Sequence, residues 1–530
     1  MAPGRSGRSQ HGAADGERDV VIVGGGPTGL MLAAELAMAG VDAVIVERRS
    51  DQHVDGSRAG GLLPRSLEVL DQRGVVGRFL EAGHTHPAHG FGGIRMDIGD
   101  LPTRHHYVLG LRQSEFEPIL ADWVVGDLGV PIMRDREVVD CLQDDAGVVV
   151  GLADGAHLRA QYVVGCDGGR SVIRTVAGIG STGSEPTRSW IVAEVDTSTE
   201  PEAGIRYDGI GMHGASRIGE GGPVRALLTE PTLRHGPPTV GELREALVAV
   251  FGTDFGLHTV HWLSRFTDAT RQAVTYRDRR VLVAGDAAHT HPPHGGQGLN
   301  TGLQDAVNLG WKLAQVVQGV SPEHLLDSYH AERHPVGARV LHNTSAQVAL
   351  TTGGERHRAL RDTMSELLTM DRPRHLVAAM LTGLDIRYDV GQGPDAHPLV
   401  GRRIPDQDLR TAAGPTRMST LLHPARPVLL NLGEPGVFDD EAPSGRVLVV
   451  DAVCDTEWEL PSVGDVPRPS AVLVRPDGHV AWAGDPADPE LPSTLATWFG
   501  EPSGTGGGPI PTRRLPPRRT PSRTGVLHDR

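Results

Sequence analysis

Three glycines near the amino terminus have the spacing that lets a chain bind a dinucleotide. Gly24, Gly26 and Gly29 follow a β-branched run at 19–23 and open a helical pattern. The first glycine permits a tight turn, the second lets the backbone approach a pyrophosphate, and the third lets helix and strand pack closely. Glu47, at the end of the next strand-like run, can accept hydrogen bonds from a ribose diol. The motif predicts a dinucleotide site and does not separate FAD from NAD; a glycine-rich turn without a ligand is the alternative.

A second group of candidate ligands lies much later in the chain. Asp286 follows the apolar run 281–284, so we expect it at the carboxyl end of a strand, where it can bind a ribityl or ribose hydroxyl. The segment 295–300 then opens a helix, whose first N–H groups can face a flavin pyrimidine that becomes negative on reduction. A plain surface loop has little reason to hold three glycines, Gln297 and Asn300 within six residues.

Two further features are ambiguous when taken alone. Asp167 and Gly168 form an Asp-Gly pair before a short helix, and such turns are common. His289, His291 and His294 raise the alternative of a metal site, but apart from Asp286 no nearby carboxylate or thiol completes a ligand set. We therefore expect no metal, a structural role for His289, and at most proton handling by one of these imidazoles.

An α/β fold must position these residues. Strand, glycine turn, helix and strand over 19–46 make a βαβ unit. The region 185–275 is rich in Gly and Pro, and we predict for it an irregular, sheet-based domain with short strands and one helix at 239–250. The other expected helices cover 62–80, 114–128 and, from near Gly302, a stretch to about 384, and the other expected strands cover 138–164, 280–284, 428–432, 447–450 and 471–474.

Composition excludes several classes of protein. A length of 530 residues predicts two or three domains, and a net charge of −15 argues against broad nucleic-acid binding. No apolar run is long enough to span a membrane. The three cysteines show no CxxC spacing and fit a reducing cytoplasm. We expect a disordered leader at 1–17 and a disordered tail at 501–530, and the sequence indicates no particular oligomeric state.

The three motifs, in this order and spacing, resemble the class A flavoprotein monooxygenases of the para-hydroxybenzoate hydroxylase type. The likeness is greatest to the branch of aromatic polyketide hydroxylases and covers roughly residues 18–500. Four further segments carry it, together with Ser57-Arg58-Ala59: 67–74, 305–313, 329–335 and 473–482. The resemblance implies a Rossmann-like FAD-binding domain (18–180 and 278–390, with a helical extension), an inserted β-sheet substrate domain (181–277) and a C-terminal thioredoxin-like domain (391–500) without thiol redox activity.

The resemblance also implies roles for individual residues. Arg58 matches an arginine near the isoalloxazine and is the expected catalytic residue, although a surface salt bridge is the alternative. The DG segment, with Asp167, Gly168 and Arg174, is tied to both FAD and NADPH. The expected FAD-binding residues are Gly24, Gly26, Gly29, Glu47, Arg58, Gln113, Asp167, Asp286, Gly298 and Asn300.

The implied activity uses FAD, NADPH as co-substrate and O2 to oxidise a small polycyclic aromatic substrate through a C4a-hydroperoxyflavin. Hydroxylation, epoxidation and Baeyer–Villiger insertion stay open, because the same flavin chemistry serves all three. An antibiotic-inactivating monooxygenase and a non-catalytic FAD-binding partner in a biosynthetic complex are the alternatives. A flavin-dependent halogenase is not favoured, since its Trp-x-Trp-x-x-Pro motif is absent.

Two positions depart from the family pattern. The segment 60–65 differs from the usual LGxxxRT, and His294 stands where the branch tends to have a small or apolar residue. Both are expected near the flavin, so the departures bear on the substrate pocket rather than on the FAD fold.

Overall fold

The computed structural model describes residues 17–54, 56, 59–202, 204–218, 221–393, 395–438 and 445–500. The expected fold class is confirmed: a large mixed sheet with a βαβ start, a separate antiparallel sheet and a C-terminal α/β domain. The expected leader, apart from Glu17, and the expected tail lie outside the described residues. The chain divisions expected at 180, 277 and 390 stay predictions.

The first part of the chain contributes most of the large sheet. Its strands are β1 (Arg18–Val23), β2 (Ala43–Val46), β3 (Gly61–Leu62), β4 (His84–His86), β5 (Ala88–Phe91), β6 (Ile94–Asp97), β7 (Val108–Gly110), β8 (Ile132–Met133), β9 (Val138–Gln143), β10 (Val148–Leu152) and β11 (His157–Gly165). Its helices are α1 (Pro27–Met38), α2 (Pro64–Asp71), α3 (Val76–Ala82), α4 (Gln113–Ala121), which continues into a π-helical turn at Asp122–Asp127, and α5 (Val172–Val176).

The middle of the chain forms a second sheet and then returns to the first. The second region contains β12 (Ser181–Ser184), β13 (Ser189–Thr197), β14 (Gly204–Tyr207), β15 (Met212–Arg217), β16 (Val224–Thr229), α6 (Val240–Phe251), β17 (Leu257–Thr267) and β18 (Thr270–Ala273). The return adds β19 (Arg277–Asp278), β20 (Val281–Val283), β21 (His289–Thr290), α7 (Gln297–Val317), α8 (Asp327–Thr351), α9 (Glu355–Leu367) and α10 (Asp371–Thr382).

The large sheet has the strand order β19-β20-β11-β1-β2-β8, with β10 and β9 added beside β11. The strands β20, β11, β1, β2 and β8 are parallel, and residues 20–23 of β1 and all of β2 are apolar and buried. Strands covered on both faces by helices are apolar throughout, which explains why these short runs were readable from sequence. Helix α1 begins with Pro27 after Gly26, and a proline at the first helical position costs no hydrogen bond.

The region 185–275 is more regular than the sequence indicated. β13 has nine residues and β17 has eleven, and they form the five-stranded antiparallel sheet β14-β15-β16-β13-β17. Helix α6, which starts with a Thr239–Glu242 capping box, covers one face of this sheet. The prediction of irregular structure was wrong because glycines and prolines between the strands obscured the alternation within them.

Three helix predictions also need correction. The expected helix at 62–80 is two helices, because Gly74 adopts a left-handed φ of 70° between them. α7 begins at Gln297, five residues before the predicted start, and the stretch to 384 is divided among α8, α9 and α10. The segment 84–110, for which no structure was predicted, holds β4 to β7.

The C-terminal domain contains one mixed sheet in the order β23-β22-β25-β24-β28-β29. Its elements are β22 (Asp408–Thr411), β23 (Gly414–Arg417), α11 (Met418–Leu421), β24 (Val428–Asn431), β25 (Leu448–Val453), β26 (Trp458–Leu460), β27 (Gly464–Val466), β28 (Ala471–Val474), β29 (Val480–Gly484) and α12 (Glu490–Phe499). Parallel β24 and β25, antiparallel β28 and β29 and the final helix give it the thioredoxin-like arrangement that was expected.

A buried polar network joins the C-terminal domain to the large sheet's helices. In the turn between β28 and β29, Arg475 binds Glu332 of α8 through two hydrogen bonds of 2.6 and 2.8 Å. Glu332 also accepts from Lys312 of α7 at 2.8 Å, and Asn308 of α7 donates to both Glu332 and Asp477. All five side chains are almost fully buried, so the turn is anchored inside the molecule.

A second contact between the C-terminal domain and the helices of the large sheet is sensitive to acid. Asp71 of α2 accepts two hydrogen bonds from Arg417 of β23, at 2.9 and 3.0 Å, and lies 3.2 Å from His105 Nε2. Burial alone would raise the pKa of Asp71, but the hydrogen bonds from His105 and Arg417 outweigh it and lower the pKa to about 2. The folded state therefore keeps this carboxylate charged at a pH where the unfolded chain binds a proton.

We expect Asp71→Asn to lower the free energy of unfolding near neutral pH by about 2 kcal/mol. Because the folded pKa is depressed, the contribution of Asp71 is fully present above pH about 4 and is lost as the pH falls towards 2. Urea denaturation at a series of pH values should show a shallower acid dependence for the variant. Asp455→Asn, at an exposed ion pair with Arg410, is the control; equal slopes for Asp71→Asn and wild type would contradict the assignment.

Candidate active site

Four parallel strands end at one edge of the large sheet. β1, β2, β11 and β20 run in the same direction, so their carboxyl ends lie side by side. The residues just after these strand ends include four predicted ligands: Gly24, Glu47, Asp167 and Asp286. The fold therefore brings together segments that are far apart in the sequence.

The three glycines of the turn after β1 have two different kinds of surroundings. A Cβ atom at Gly24, where φ is 105°, would lie 2.4 Å from the Cys166 carbonyl oxygen, and one at Gly29 would lie 2.0 Å from the Gly24 carbonyl oxygen. At Gly26, by contrast, a Cβ would meet no protein atom within 4 Å. Gly24 and Gly29 are thus required by protein packing, whereas Gly26 faces open space at the start of α1.

Glu47 is buried beside this turn. Its Oε2 accepts a hydrogen bond of 2.6 Å from the Gly25 N–H, and its Oε1 accepts one of 2.8 Å from the Arg49 N–H. The carboxylate is therefore held at the glycine turn by the backbone, with lone pairs left for a ribose.

Gln113 belongs to a polar cluster next to Glu47. It donates a hydrogen bond of 2.6 Å to Glu117 of α4, whose carboxylate is almost fully buried. The other oxygen of Glu117 accepts from Arg49 and Gln52, at 3.1 and 2.8 Å. The cluster lies on the β2 side of the glycine turn. Glu117 was not predicted from the sequence, in which its only signal is its position one helical turn after Gln113.

Asp167 and Arg174 fix the DG segment against its neighbours. Asp167 Oδ2 accepts from the Val172 N–H at 2.7 Å and so caps α5, while its Oδ1 is buried without a partner among the described residues. Arg174 donates to the carbonyl oxygens of Gly169 and Ala287, at 3.0 and 2.8 Å. The segment thus links the glycine turn to the loop that carries Asp286.

Asp286 lies exposed in a short helical turn (Gly285–Ala287) after β20. The side chain of Thr28 on α1 packs against this turn. It lies so close to Gly285 and Gly302 that an added Cβ atom at either position would approach Thr28 Oγ1 within 2.5 Å. The Asp286 carboxylate has no hydrogen bond to another side chain or N–H within the ranges that the structure describes. It is therefore free to accept one from a ligand.

Helices α1 and α7 both start at this edge without a capping side chain. Each is preceded by a glycine, Gly26 or Gly296, whose Cβ position is open. Gly295 and Gly296 have φ values of 68° and 64°, which favour glycine at both positions. Unpaired N–H groups at a helix start attract negative charge, so the two starts fit a diphosphate and an anionic flavin ring. Gly298, in the first turn of α7, lies near Asp286 and His291.

Asn300 connects α7 to β3 rather than pointing to open space. Its Oδ1 accepts from the Leu63 N–H at 2.8 Å, and its Nδ2 donates to the carbonyl oxygens of Gly61 and Gly296, at 3.2 and 2.8 Å. The Asn300 amide is therefore fully used by backbone groups. It holds residues 61–63, which belong to the segment that departs from the family pattern, against the start of α7.

His289 is part of a buried network below the Asp286 turn. Its Nε2 lies 2.6 Å from Asp305 Oδ2, and Asp305 also accepts from Arg333 Nε at 2.6 Å and from the Gly285 N–H at 3.1 Å. Burial raises the pKa of Asp305, but Arg333 and His289 outweigh it and hold the pKa below its ordinary value. His289 thus supports the turn, and the described residues contain no group of three side chains suited to a metal ion.

The antiparallel sheet presents an aromatic face towards this edge. Trp190 of β13 and Phe266 of β17 stack with their ring centroids 5.4 Å apart and an interplanar angle of 8°. Trp262, four residues before Phe266 on the same face, lies against Gly56, where an added Cβ would be 2.0 Å from the indole. We call this face, formed by Trp190, Trp262 and Phe266, the aromatic wall. It was not predicted from the sequence, although the even spacing of Trp262 and Phe266 along one strand indicated a shared face.

Arg58, the predicted catalytic residue, lies outside the described residues together with Ser57. Gly56, two positions earlier in the chain, contacts the aromatic wall at Trp262. The role of Arg58 therefore stays a prediction.

The arrangement can hold an elongated dinucleotide along one edge of a sheet and a flat apolar molecule across from it. Asp286 and the uncapped starts of α1 and α7 fit the ribityl, diphosphate and ring portions of FAD. The described residues include no helix with the length and apolarity needed to cross a bilayer.

Comparison with known proteins identifies the family. Residues 17–344 match the model of an FAD binding domain, and residues 397–502 match that of the C-terminal part of aromatic-ring hydroxylases. A rifampicin monooxygenase of Streptomyces venezuelae is 44% identical over 501 residues, covering 91% of this chain and 98% of that protein.

Two solved structures agree with these matches. The anhydrotetracycline hydroxylase OxyS from Streptomyces rimosus superposes with a TM-score of 0.85 at 40% identity, and CabE, an aromatic hydroxylase from angucycline biosynthesis, with a TM-score of 0.84 at 40% identity. Both comparisons cover 92% of this chain and all of the other chain. The chain therefore belongs to the FAD-dependent aromatic-ring monooxygenases of the para-hydroxybenzoate hydroxylase type, in the branch of the aromatic polyketide hydroxylases.

Proposed function

We propose that this protein uses NADPH and O2 to insert one oxygen atom into a polycyclic aromatic substrate of polyketide type, in the cytoplasm. The observation that carries the proposal is one edge of the large sheet that fits FAD, faced by an aromatic wall that fits flat rings. FAD, when bound, supplies the activation of O2 and the transfer of one of its atoms. The protein binds, orients and shields the reactants.

Each proposed binding residue acts on a different part of the cofactor. The start of α1 at Gly26 binds the diphosphate, Glu47 the adenosine ribose, and Asp286 the ribityl chain. The start of α7 at Gly298 donates N–H groups towards the flavin pyrimidine, and Asn300 keeps the 61–63 segment in place behind it. Gln113 acts through the Glu117 cluster, and Asp167 through the turn that it caps.

The aromatic wall positions the substrate and keeps water away from it. Trp190 is almost fully buried and supports Phe266; the half-buried rings of Phe266 and Trp262 stack on a planar ring system, and a dry site prevents loss of the activated oxygen. Hydroxylation is the proposed outcome, and epoxidation or Baeyer–Villiger insertion would use the same site. A finished aromatic antibiotic is the second candidate substrate, favoured by the 44% identity to a rifampicin monooxygenase.

The test is NADPH consumption under air by FAD-loaded protein, with and without each member of a panel of polycyclic aromatic polyketides and antibiotics. We expect one class to stimulate consumption and to yield a product heavier by one oxygen atom. A yellow protein that no member stimulates would count against turnover and favour the non-catalytic alternative.

We expect Asp286→Ala to weaken FAD binding about tenfold, the effect of losing one hydrogen bond to a charged acceptor. The apoprotein should keep its thermal stability, because Asp286 is exposed and has no protein partner within the described residues. Flavin titration of the apoprotein measures the affinity. Asp362→Ala, an exposed aspartate on α9, is the control, and an unchanged affinity for the Asp286 variant would refute its ribityl role.

For Arg58 we propose a role in flavin reduction. Arg58→Ala should slow the reduction of bound FAD by NADPH about tenfold or more while changing FAD affinity less, since a guanidinium near the ring orients reactants electrostatically. Anaerobic stopped-flow spectroscopy gives the rate and flavin titration the affinity. Normal reduction kinetics in the variant would remove this role.

A further inference from the structure

His294 lies between the aromatic wall and the edge of the large sheet at which we propose that FAD binds. It directly precedes Gly295 and Gly296 and the start of α7. Its ring stands edge-on to Trp190, with centroids 5.5 Å apart and an interplanar angle of 71°. No other side chain of the 291–296 loop forms a ring contact with the wall in the part of the chain that the structure describes.

The imidazole of His294 has unused hydrogen-bonding capacity. Its Nδ1 is buried and has no partner among the described residues, which is costly for a polar atom unless something binds it. Burial lowers the pKa of His294 to about 4, so the ring is neutral near pH 7 and offers one donor and one acceptor nitrogen. A neutral imidazole can bind either a hydroxyl or a carbonyl oxygen.

The neighbouring wall restricts what can reach this imidazole. Trp190 is only 2% exposed and stacks on Phe266, so its ring is covered by protein, whereas Phe266, Trp262 and His294 are half-buried and keep accessible surface. A polar substituent of a bound molecule therefore reaches the His294 imidazole from the side away from Trp190.

We propose that His294 determines substrate specificity by hydrogen-bonding an oxygen substituent, a phenolic hydroxyl or a quinone carbonyl, on a substrate ring bound beside the aromatic wall. The proposal rests on the proposed function only in taking the aromatic wall as the substrate site. It assigns a role to a residue at which this chain departs from its family.

The experiment measures binding without turnover. FAD-loaded protein, in the absence of NADPH, is dialysed to equilibrium against anthracene or 2-hydroxyanthracene, of which only the second carries an oxygen substituent. Wild-type protein should bind the hydroxylated probe about fivefold to tenfold more tightly, as one net hydrogen bond provides. His294→Leu should bind both probes equally, and His294→Asn, similar in size but polar, should keep most of the preference.

His294→Phe provides a further variant that retains a ring beside Trp190. Flavin content and circular dichroism establish that each variant is folded, and any one apolar variant that keeps FAD suffices for the comparison. Equal binding of the two probes by wild type, or an undiminished preference in the apolar variants, would overturn the proposal. Because no oxygen transfer is measured, a clear preference in a protein that never oxygenates a substrate would uphold the role of His294 while removing the proposed function.

Discussion

Replacing Gly26 by valine should leave the protein folded but unable to hold FAD. A side chain at this position meets no protein atom, so the apoprotein has no steric reason to unfold. The same side chain would occupy the space in which we propose that the diphosphate approaches the start of α1. We expect FAD affinity to fall at least about a hundredfold, equivalent to about 3 kcal/mol, with a small change in the melting temperature of the apoprotein.

Gly77→Val is the matched control for this prediction. Gly77 is the second residue of α3 and, like Gly26, faces open space near a helix start, but it lies away from the sheet edge. The control protein should purify yellow and the Gly26 variant colourless, as measured by flavin absorbance per protein. Stoichiometric FAD in the Gly26 variant would contradict the placement of the diphosphate.

We expect Glu332→Gln to lower the free energy of unfolding more than the other substitutions discussed. Two positive side chains, Arg475 and Lys312, and two negative ones, Glu332 and Asp477, balance within this buried network. Although burial would raise the pKa of Glu332, Arg475 and Lys312 hold it at about 2, so the carboxylate is charged at neutral pH. Neutralising it leaves a buried positive charge uncompensated, which costs about 3–5 kcal/mol.

Urea denaturation followed by circular dichroism measures this loss. Glu185→Gln, at an exposed ion pair with Arg271, should leave the midpoint nearly unchanged, because surface pairs contribute little. Since Arg475 lies in the turn between β28 and β29, the Glu332 variant should also expose the C-terminal domain to proteolysis earlier than wild type. A midpoint equal to that of the control would show that the network does not join the two parts.

The cofactor edge could be predicted from sequence because local patterns encode it. Gly24 and Gly29 meet steric demands of the protein that only glycine satisfies, and Gly26 leaves open the space in front of α1, so the three positions keep a fixed spacing. The position of Asp286 was predictable because it depends only on the strand that ends just before it.

The aromatic wall was not predictable in the same way. Trp190 and Phe266 are 76 positions apart in sequence and meet only because β13 and β17 pair in one register. Likewise, the buried network depends on Glu332 meeting Arg475, and neither position carries a local signal of the other. Long-range pairing, rather than propensity, decides both contacts.

For Asn300 and His289, the sequence predicted a position near the flavin site but not the groups that their side chains bind. Both lie in the motif near the flavin edge, yet their side chains bind protein groups: Asn300 the backbone of 61–63, and His289 the carboxylate of Asp305. A sequence motif marks where a ligand lies, but residues that support the ligand's neighbours are part of the same motif.

The most direct test of oxygen insertion is incubation of FAD-loaded protein and NADPH with a stimulating polycyclic aromatic substrate under isotopically labelled O2. Mass spectrometry of the product should show one labelled oxygen atom per molecule, formed in proportion to the NADPH consumed. NADPH consumption that yields only hydrogen peroxide, or a product whose new oxygen comes from water, would contradict the account.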